Sequence, residues 1–175
     1  MISRTIAPNA LPTVGKYRID PVRSTVTYSG RHLFGLGVVH ATFRIRSGQI
    51  QIADPYTASA VAVSIDASSF ASGNASRDKA VRSAALLDTA AFAEISFTSD
   101  NLRWDGDNWL LNGCVTAHGV TVPADVTFDS VVHEPRGIRV LCRADHLDRY
   151  AFGVSGSKGM VGRHLDLDID IYATP

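Results

Sequence analysis

Apolar and polar residues alternate with a period of two along most of this chain. Over 39–47 one set is Val39, Ala41, Phe43 and Ile45, and the interleaved set is His40, Thr42, Arg44 and Arg46. Ile50 and Ile52 continue the apolar set against Gln49 and Gln51. Val120, Val122, Ala124, Val126 and Phe128 alternate with Thr121, Pro123, Asp125, Thr127 and Asp129. Near the C-terminus Leu165, Leu167, Ile169 and Ile171 alternate with Asp166, Asp168, Asp170 and Tyr172. Successive side chains of a strand point to opposite faces, so each run predicts a strand with one apolar face. Weaker versions cover 24–28, 58–65, 94–101, 109–118 and 137–147. Turn residues punctuate them at Ser47-Gly48, Ala53-Asp54-Pro55, Asp105-Gly106-Asp107-Asn108 and Glu134-Pro135-Arg136-Gly137. About eight strands at roughly ten-residue spacing predict an all-β antiparallel sandwich or barrel.

One stretch departs from this period. Residues 77–92 are rich in Ala and Leu, and Ala80, Val81, Ala84 and Leu87 share a helical stripe that omits Lys79 and Arg82. The spacing predicts one helix over 77–87, with Ser76 as its cap and Asp78 near the positive end of the helix dipole. A single helix beside a closed sheet plugs or lids the barrel mouth.

Composition narrows the class. With 175 residues, 45% hydrophobic and 19% charged, the chain reads as one globular domain. Seventeen basic side chains balance seventeen acidic ones, which argues against a nucleic-acid binder or a polybasic membrane-surface protein. No window approaches the ~18 apolar residues of a membrane span, so no stable membrane insertion is expected. Residues 1–14 contain two prolines and no periodicity, and read as a mobile or draped tail before a domain over 15–175. They lack the apolar core of a secretory signal, so a cytoplasmic location is expected. The two cysteines fit that compartment: Cys114 falls in a mixed-polarity set and Cys142 in an apolar one, so they point to different faces and do not pair.

The inward sets combine large residues (Phe43, Phe97, Phe128) with small ones (Ala60, Ala62, Gly113, Ala117). Small inward residues leave volume for a ligand, yet small–large alternation also fills a tapered barrel, and the pattern satisfies both readings. Trp104 and Trp109 bracket a polar turn, placed either at a ligand mouth or in an exposed hairpin.

Catalytic chemistry is sparse. Residues 153–162 (GVSGSKGMVG) lack phosphate-loop spacing and read as a flexible loop before the last strand. The histidines (His32, His40, His118, His133, His146, His164) form no metal motif, and neither cysteine lies at metal-ligand spacing. Asp166, Asp168 and Asp170 stand ~7 Å apart along an outer strand face, which suits a solvated surface rather than a cation site. The inward sets hold almost no ionisable groups, which counts against an enzyme, since there is little to serve as acid or base. The Arg77–Asp78 pair either ties the helix to a neighbouring loop or meets a ligand head group. His32 and His118 each end a segment, where a structural role and a place at a cavity mouth are both open.

The ordered segments resemble the YceI-like family of lipocalin-like barrels that bind polyisoprenoids. The resemblance starts at Tyr17-Arg-Ile-Asp20-Pro21-Val-Arg-Ser24 and continues through His32-Leu33-Phe34-Gly35 and the run from Phe43 to Ile50. Its most specific part is Arg77-Asp78-Lys-Ala-Val-Arg82-Ser83-Ala-Ala-Leu86-Leu87-Asp88, followed by the strand through Ile95 and Phe97. Thr116-Ala-His118-Gly119 with Pro123, and Asp148-Arg149-Tyr-Ala-Phe152-Gly153, take later positions. The chain departs from the family pattern at Arg23 and Ala80, where histidines are usual. Leu86-Leu87 replace a Phe pair, Ala41 stands at a Gly position and Ala93 at a Pro position.

The resemblance implies an eight-stranded lipocalin-like barrel with one helix near its mouth. It also implies non-catalytic storage or transport of a polyisoprenoid lipid or isoprenoid quinone, with no cofactor. The expected lining is Tyr28, Phe34, Phe43, Phe70, Val81, Leu86, Leu87, Phe97, Phe128, Phe152 and Met160, with His32, Arg77 and His118 as polar residues at the mouth. Of the lining, Phe43 and Phe97 are the foremost candidates for pure core. Two alternatives stand beside this one. The first is an enzyme or accessory factor acting on the bound isoprenoid; the second is a solid-cored module that dimerises through an exposed strand edge.

Overall fold

The computed structural model describes residues 11–175. Strands form where the alternation predicts them: β1 (Gly15–Ile19), β2 (Thr25–His32), β3 (Gly37–Ile52), β4 (Ala60–Ala71), β5 (Glu94–Trp104), β6 (Trp109–Ala117), β7 (Val120–Glu134), β8 (Gly137–Asp148) and β9 (Val161–Thr174). They follow the order β1-β3-β2-β9-β8-β7-β6-β5-β4, and pairing of β3 with β4 closes the ring. β1 and β2 occupy one stave in succession. β1 pairs with the C-terminal part of β3 (Gly15 opposite Ile52) and β2 with its N-terminal part (Val26 opposite Phe43). Both also pair with β9. Nine segments thus make the expected eight-stranded antiparallel barrel. The break between β1 and β2 is held by Asp20, whose carboxylate accepts the Val22 and Arg23 amides at 2.9 and 3.2 Å. Closure removes the exposed strand edge on which the dimerising module depended.

The one α-helix among the described residues, α1 (Ala75–Arg82), lies between β4 and β5 and is shorter than predicted. Its cap is Asn74 rather than Ser76: the Asn74 side chain accepts the Arg77 amide at 2.9 Å. Ser83 ends it, with an extended backbone and a hydroxyl donating to the Ala80 carbonyl at 2.7 Å. Such side-chain bonds compete with helix propagation. The Ala-Leu stretch that follows therefore continues as turns, with Leu86 buried and the Leu87 amide bonded back to Val81 at 2.9 Å.

One inward assignment reverses. In β4 the interior is met by Val61, Val63 and Ile65, while Ala62 lies on the outer wall and Ala60 shares its side of the strand. The segment Ala60-Val-Ala-Val is apolar on both faces, so period two alone does not orient it. Both cysteines are free, Cys142 buried and facing inward and Cys114 half-buried on the other side of its strand. The carboxylates of β9 point outward: Asp170 takes both nitrogens of Arg139 at 2.9 and 2.7 Å, and Asp166 accepts the His146 amide at 2.8 Å. Among the described residues no group of three metal-ligating side chains forms, and no helix is long and apolar enough to cross a membrane.

The two barrel ends differ. The β2–β3 turn, the α1 segment, the β6–β7 turn and the loop between β8 and β9 gather at one end, the mouth. The other end carries the β3–β4, β5–β6 and β7–β8 connections. Trp104 and Trp109 stand edge-to-face there, 5.4 Å apart, so neither tryptophan lies at the mouth. Leu11 and Pro12 are buried against this end beside Tyr56. The described end of the predicted tail is thus draped over the barrel; residues 1–10 lie outside the described residues.

Candidate functional site

Inward residues near the middle of the barrel should be fully buried if the interior were filled. Instead Tyr28, Ile65, Ile95, Phe97, Leu147 and Leu167 are only partly buried although they pack against the core. They border unfilled space. One chamber, toward the covered end, leaves about 120 Å³ open to the centre of a water-sized sphere, and a second, toward the mouth, about 130 Å³. The chambers meet at a waist, sharing Val26, Ile65, Ile95, Val115, Leu147 and Leu167 as wall. Each space is several times the ~10–15 Å³ that one water requires, yet water also needs two to four polar partners. These walls are almost entirely aliphatic and aromatic, so the space suits an apolar occupant.

The wall carries few ionisable groups: Arg149 and Tyr28 in the mouth chamber, Tyr56 and Cys142 in the other. Burial pushes the Cys142 thiol up to about 12, leaving it protonated at neutral pH. Burial also raises the Tyr28 phenol, an effect that the nearby Arg149 charge partly offsets. Arg149 is buried, and its guanidinium donates to three carbonyls: Gly162 at 2.8 Å, Val154 at 2.6 Å and Val161 at 2.9 Å. Its pKa is pulled down by burial, with the neighbouring tyrosines and Asp148 acting in the opposite sense. The side chain thereby staples the β8–β9 loop over the mouth chamber. No carboxylate or histidine among the described residues lines either chamber, so proton transfer there has no ordinary acid or base.

Length can be read from β9, which lines the mouth chamber at Val161 and the covered-end chamber at Ile171. Ten residues at ~3.4 Å, on a strand tilted ~40°, span ~26 Å along the barrel axis. Three extended backbone bonds cover ~3.5 Å, so an isoprene unit of four chain bonds covers ~4.7 Å, and about five units fit end to end.

The structure brings nine of the fourteen predicted site residues to these walls. Tyr28, Phe43, Phe70, Val81, Leu86, Leu87 and Phe152 line the mouth chamber, and Phe97 and Phe128 the other. Phe43 is a buried member of the core that also borders the mouth chamber, and Phe97, partly buried, packs against the core beside the other chamber. Phe34 and Met160 lie outside, 81% and 49% exposed, because the β2–β3 turn carries Phe34 past the barrel rim and the 157–160 loop lies beside it. His32 ends β2 opposite Gly37 and lines neither chamber. His118 takes a structural position, its Nδ1 3.2 Å from the Phe152 carbonyl oxygen and its ring 4.6 Å from Phe92. Arg77 donates to the Ser72 hydroxyl at 3.5 Å, and Asp78 accepts the Ser72 amide and hydroxyl at 3.0 and 2.6 Å, so the pair ties α1 to the preceding loop. Arg149 was missed. Its signal is a lone arginine amid apolar residues of the 149–154 segment. The waist residues Ile65, Ile95, Val115 and Leu167 were also missed, though their alternation marked them as inward.

A YceI-like domain model matches residues 17–173 of the chain. A UPF0312 protein of Pseudomonas putida strain F1 is 31% identical over 189 residues, covering 98% of this chain and 97% of the relative. A UPF0312 protein of Shewanella baltica strain OS185 is 35% identical over 178 residues, covering 94% and 89%. Among solved structures, BcnA of Burkholderia cenocepacia superposes with a TM-score of 0.73 at 17% identity, covering 90% of this chain and 99% of that one. A polyisoprenoid binding domain from Saccharophagus degradans superposes at 0.61 and 14% identity, covering 90% and 97%. Both likenesses are of fold.

Proposed function

This chain belongs to the YceI-like domain family, and from that premise we propose that it binds a long polyisoprenoid chain, the tail of a lipid or a quinone, non-covalently inside its barrel. The observation that carries the reading is the pair of apolar chambers meeting at a shared waist, long enough for about five isoprene units. The polyisoprenoid binding domain of Saccharophagus degradans shares the fold, which supports the same cargo class here. Binding works by desolvation. Each buried CH₂ favours the complex by ~0.8 kcal/mol before the cost of ordering the chain, so a few units suffice for micromolar affinity without any reacting group. The protein stores or carries the chain and leaves it chemically unchanged.

The test is organic extraction of the purified protein with mass spectrometry, alongside native mass spectrometry of the intact complex. A stoichiometric isoprenoid is expected, lost in Leu87→Arg while the fold is retained. A clean apo mass, with no uptake of added polyprenyl lipid, overturns the reading.

A further inference from the structure

Among the described residues, nine large hydrophobic side chains are exposed, and six of them stand at the mouth end: Leu33, Phe34, Leu36, Val38, Val120 and Met160. Five of the six form one patch. The Phe34 amide donates to the Gly159 carbonyl at 2.7 Å and the Leu33 amide to the Met160 carbonyl at 3.1 Å, clamping the β2–β3 turn to the loop before β9. Phe34 and Leu36 remain 81% and 89% exposed at its tip. Met160 precedes Val161, a wall residue of the mouth chamber, so the patch adjoins that chamber.

The turn is built at a conformational cost. Leu33 and Phe34 have φ of 52° and 57°, with the Gly35 amide bonded to the His32 carbonyl at 3.1 Å. Hairpins usually put Asn or Gly at such left-handed positions, where a bulky side chain is strained. Here two apolar side chains are held there, both exposed, with the Phe34 ring lying over Gly159.

The two segments that carry the patch are basic, with acidic neighbours at Asp148 and Asp166. Although the whole chain is neutral, residues 29–40 and 155–164 contain Arg31, Lys158 and Arg163 with His32, His40 and His164, and no Asp or Glu. Arg163 pairs with Asp148 of β8 at 2.7 Å. Among the described residues Arg31 and Lys158 make no ion pair; Arg31 donates to the Gly35 carbonyl at 3.3 Å, and the Lys158 ammonium lies 5.5 Å from the Tyr150 ring centre.

We propose that this tip docks the barrel mouth-first on an anionic lipid bilayer, with Phe34 and Leu36 entering the interface and Arg31 and Lys158 meeting lipid head groups. An exposed apolar tip flanked by two cations, Arg31 and Lys158, fits a headgroup layer, which accepts apolar side chains and attracts basic ones. Docking places the chamber opening at the membrane, and its use for exchanging an isoprenoid chain rests on the function proposed above.

The experiment is flotation with vesicles of phosphatidylcholine alone or mixed with phosphatidylglycerol, neither containing isoprenoid, so docking is read independently of cargo. The intact protein is expected to float with anionic vesicles, less so as salt is raised. The double variant Phe34→Ser/Leu36→Ser should weaken binding about tenfold or more, and Arg31→Ser or Lys158→Ser about fivefold each, with thermal unfolding unchanged. In Phe34→Trp, emission should shift to the blue with anionic vesicles, while Trp104 and Trp109 at the opposite end stay silent. No flotation of the intact protein, or flotation undiminished by the double variant, overturns the proposal. So does self-association abolished by that variant, which would make the patch an interface between copies. Extraction of isoprenoid from a protein that does not float would leave the cargo reading standing and remove this one alone.

Discussion

Substitution of Val115 by Phe distinguishes a hollow barrel from a filled one by the sign of its effect. Val115 lies on β6 at the waist, opposite Phe97 on β5 and Val122 on β7, and is only partly buried. Phe adds four carbons, and at ~0.8 kcal/mol per buried carbon their full burial yields ~3 kcal/mol. A packed core instead loses ~1–3 kcal/mol when enlarged this way. In delipidated protein the variant should therefore be more stable by ~1–2 kcal/mol, a rise of ~2–8 °C in Tm for a domain of this size. The same ring fills the waist where the chambers adjoin, so isoprenoid recovered by extraction should fall sharply if the proposed cargo spans both. Ala173→Leu is the control: Ala173 is 1% exposed and borders neither chamber, and its enlargement should destabilise by ~1–3 kcal/mol. Calorimetry and native mass spectrometry of both variants read the two effects. A destabilised Val115→Phe that retains its full cargo would refute the hollow waist.

Two further predictions concern the loop over the mouth. Arg149→Met removes the donors to three carbonyls and should lower stability by about 3 kcal/mol or more in urea unfolding, because buried acceptors are left without partners. Arg163 holds the Asp148 carboxyl down at about 2, below its ordinary value near 4. A depressed folded-state value stabilises the fold above the unfolded value and loses that contribution as pH falls through the folded one. The stability deficit of Arg163→Gln should accordingly be full at pH 7, slightly reduced at pH 4 and mostly lost by pH 2, as denaturant midpoints at those three values will show.

The staves were legible because each has one face in the barrel and one in water, and period two records that difference directly. β9 shows it best: Leu165, Leu167 and Ile169 line chambers while Asp166 and Asp168 are exposed. β4 was misread where alanines and valines alternate, since both sets are apolar and only pairing with β3 and β5 fixes the face. The helix was overextended for a related reason: Ala-Leu spacing fits a stripe, but Ser83 closes the last turn with its own hydroxyl. Alternation likewise gave no sign that β1 and β2 share a stave, because that is a property of β3, which is long enough to pair with both.

The site was legible in its chemistry more than in its extent. An aromatic residue in an inward set, such as Phe43 or Phe128, could be placed on the wall from sequence. Phe34 and Met160 could not, because the hydrophobicity that marks a wall also marks a surface loop: Phe34 sits in the left-handed β2–β3 turn and Met160 in the loop before β9. Hollowness itself has no periodic signature. It arises from side-chain volumes summed around eight staves, and it shows as partial burial of residues whose pattern demands full burial. Leu86 and Leu87 illustrate the consequence. They line the mouth chamber where the family resemblance expects phenylalanines, and each leucine carries three fewer side-chain carbons than phenylalanine. The same apolar pattern is thereby kept with less bulk in the mouth chamber, and under the function proposed above bulk at these positions, rather than any polar group, sets the width of chain that fits.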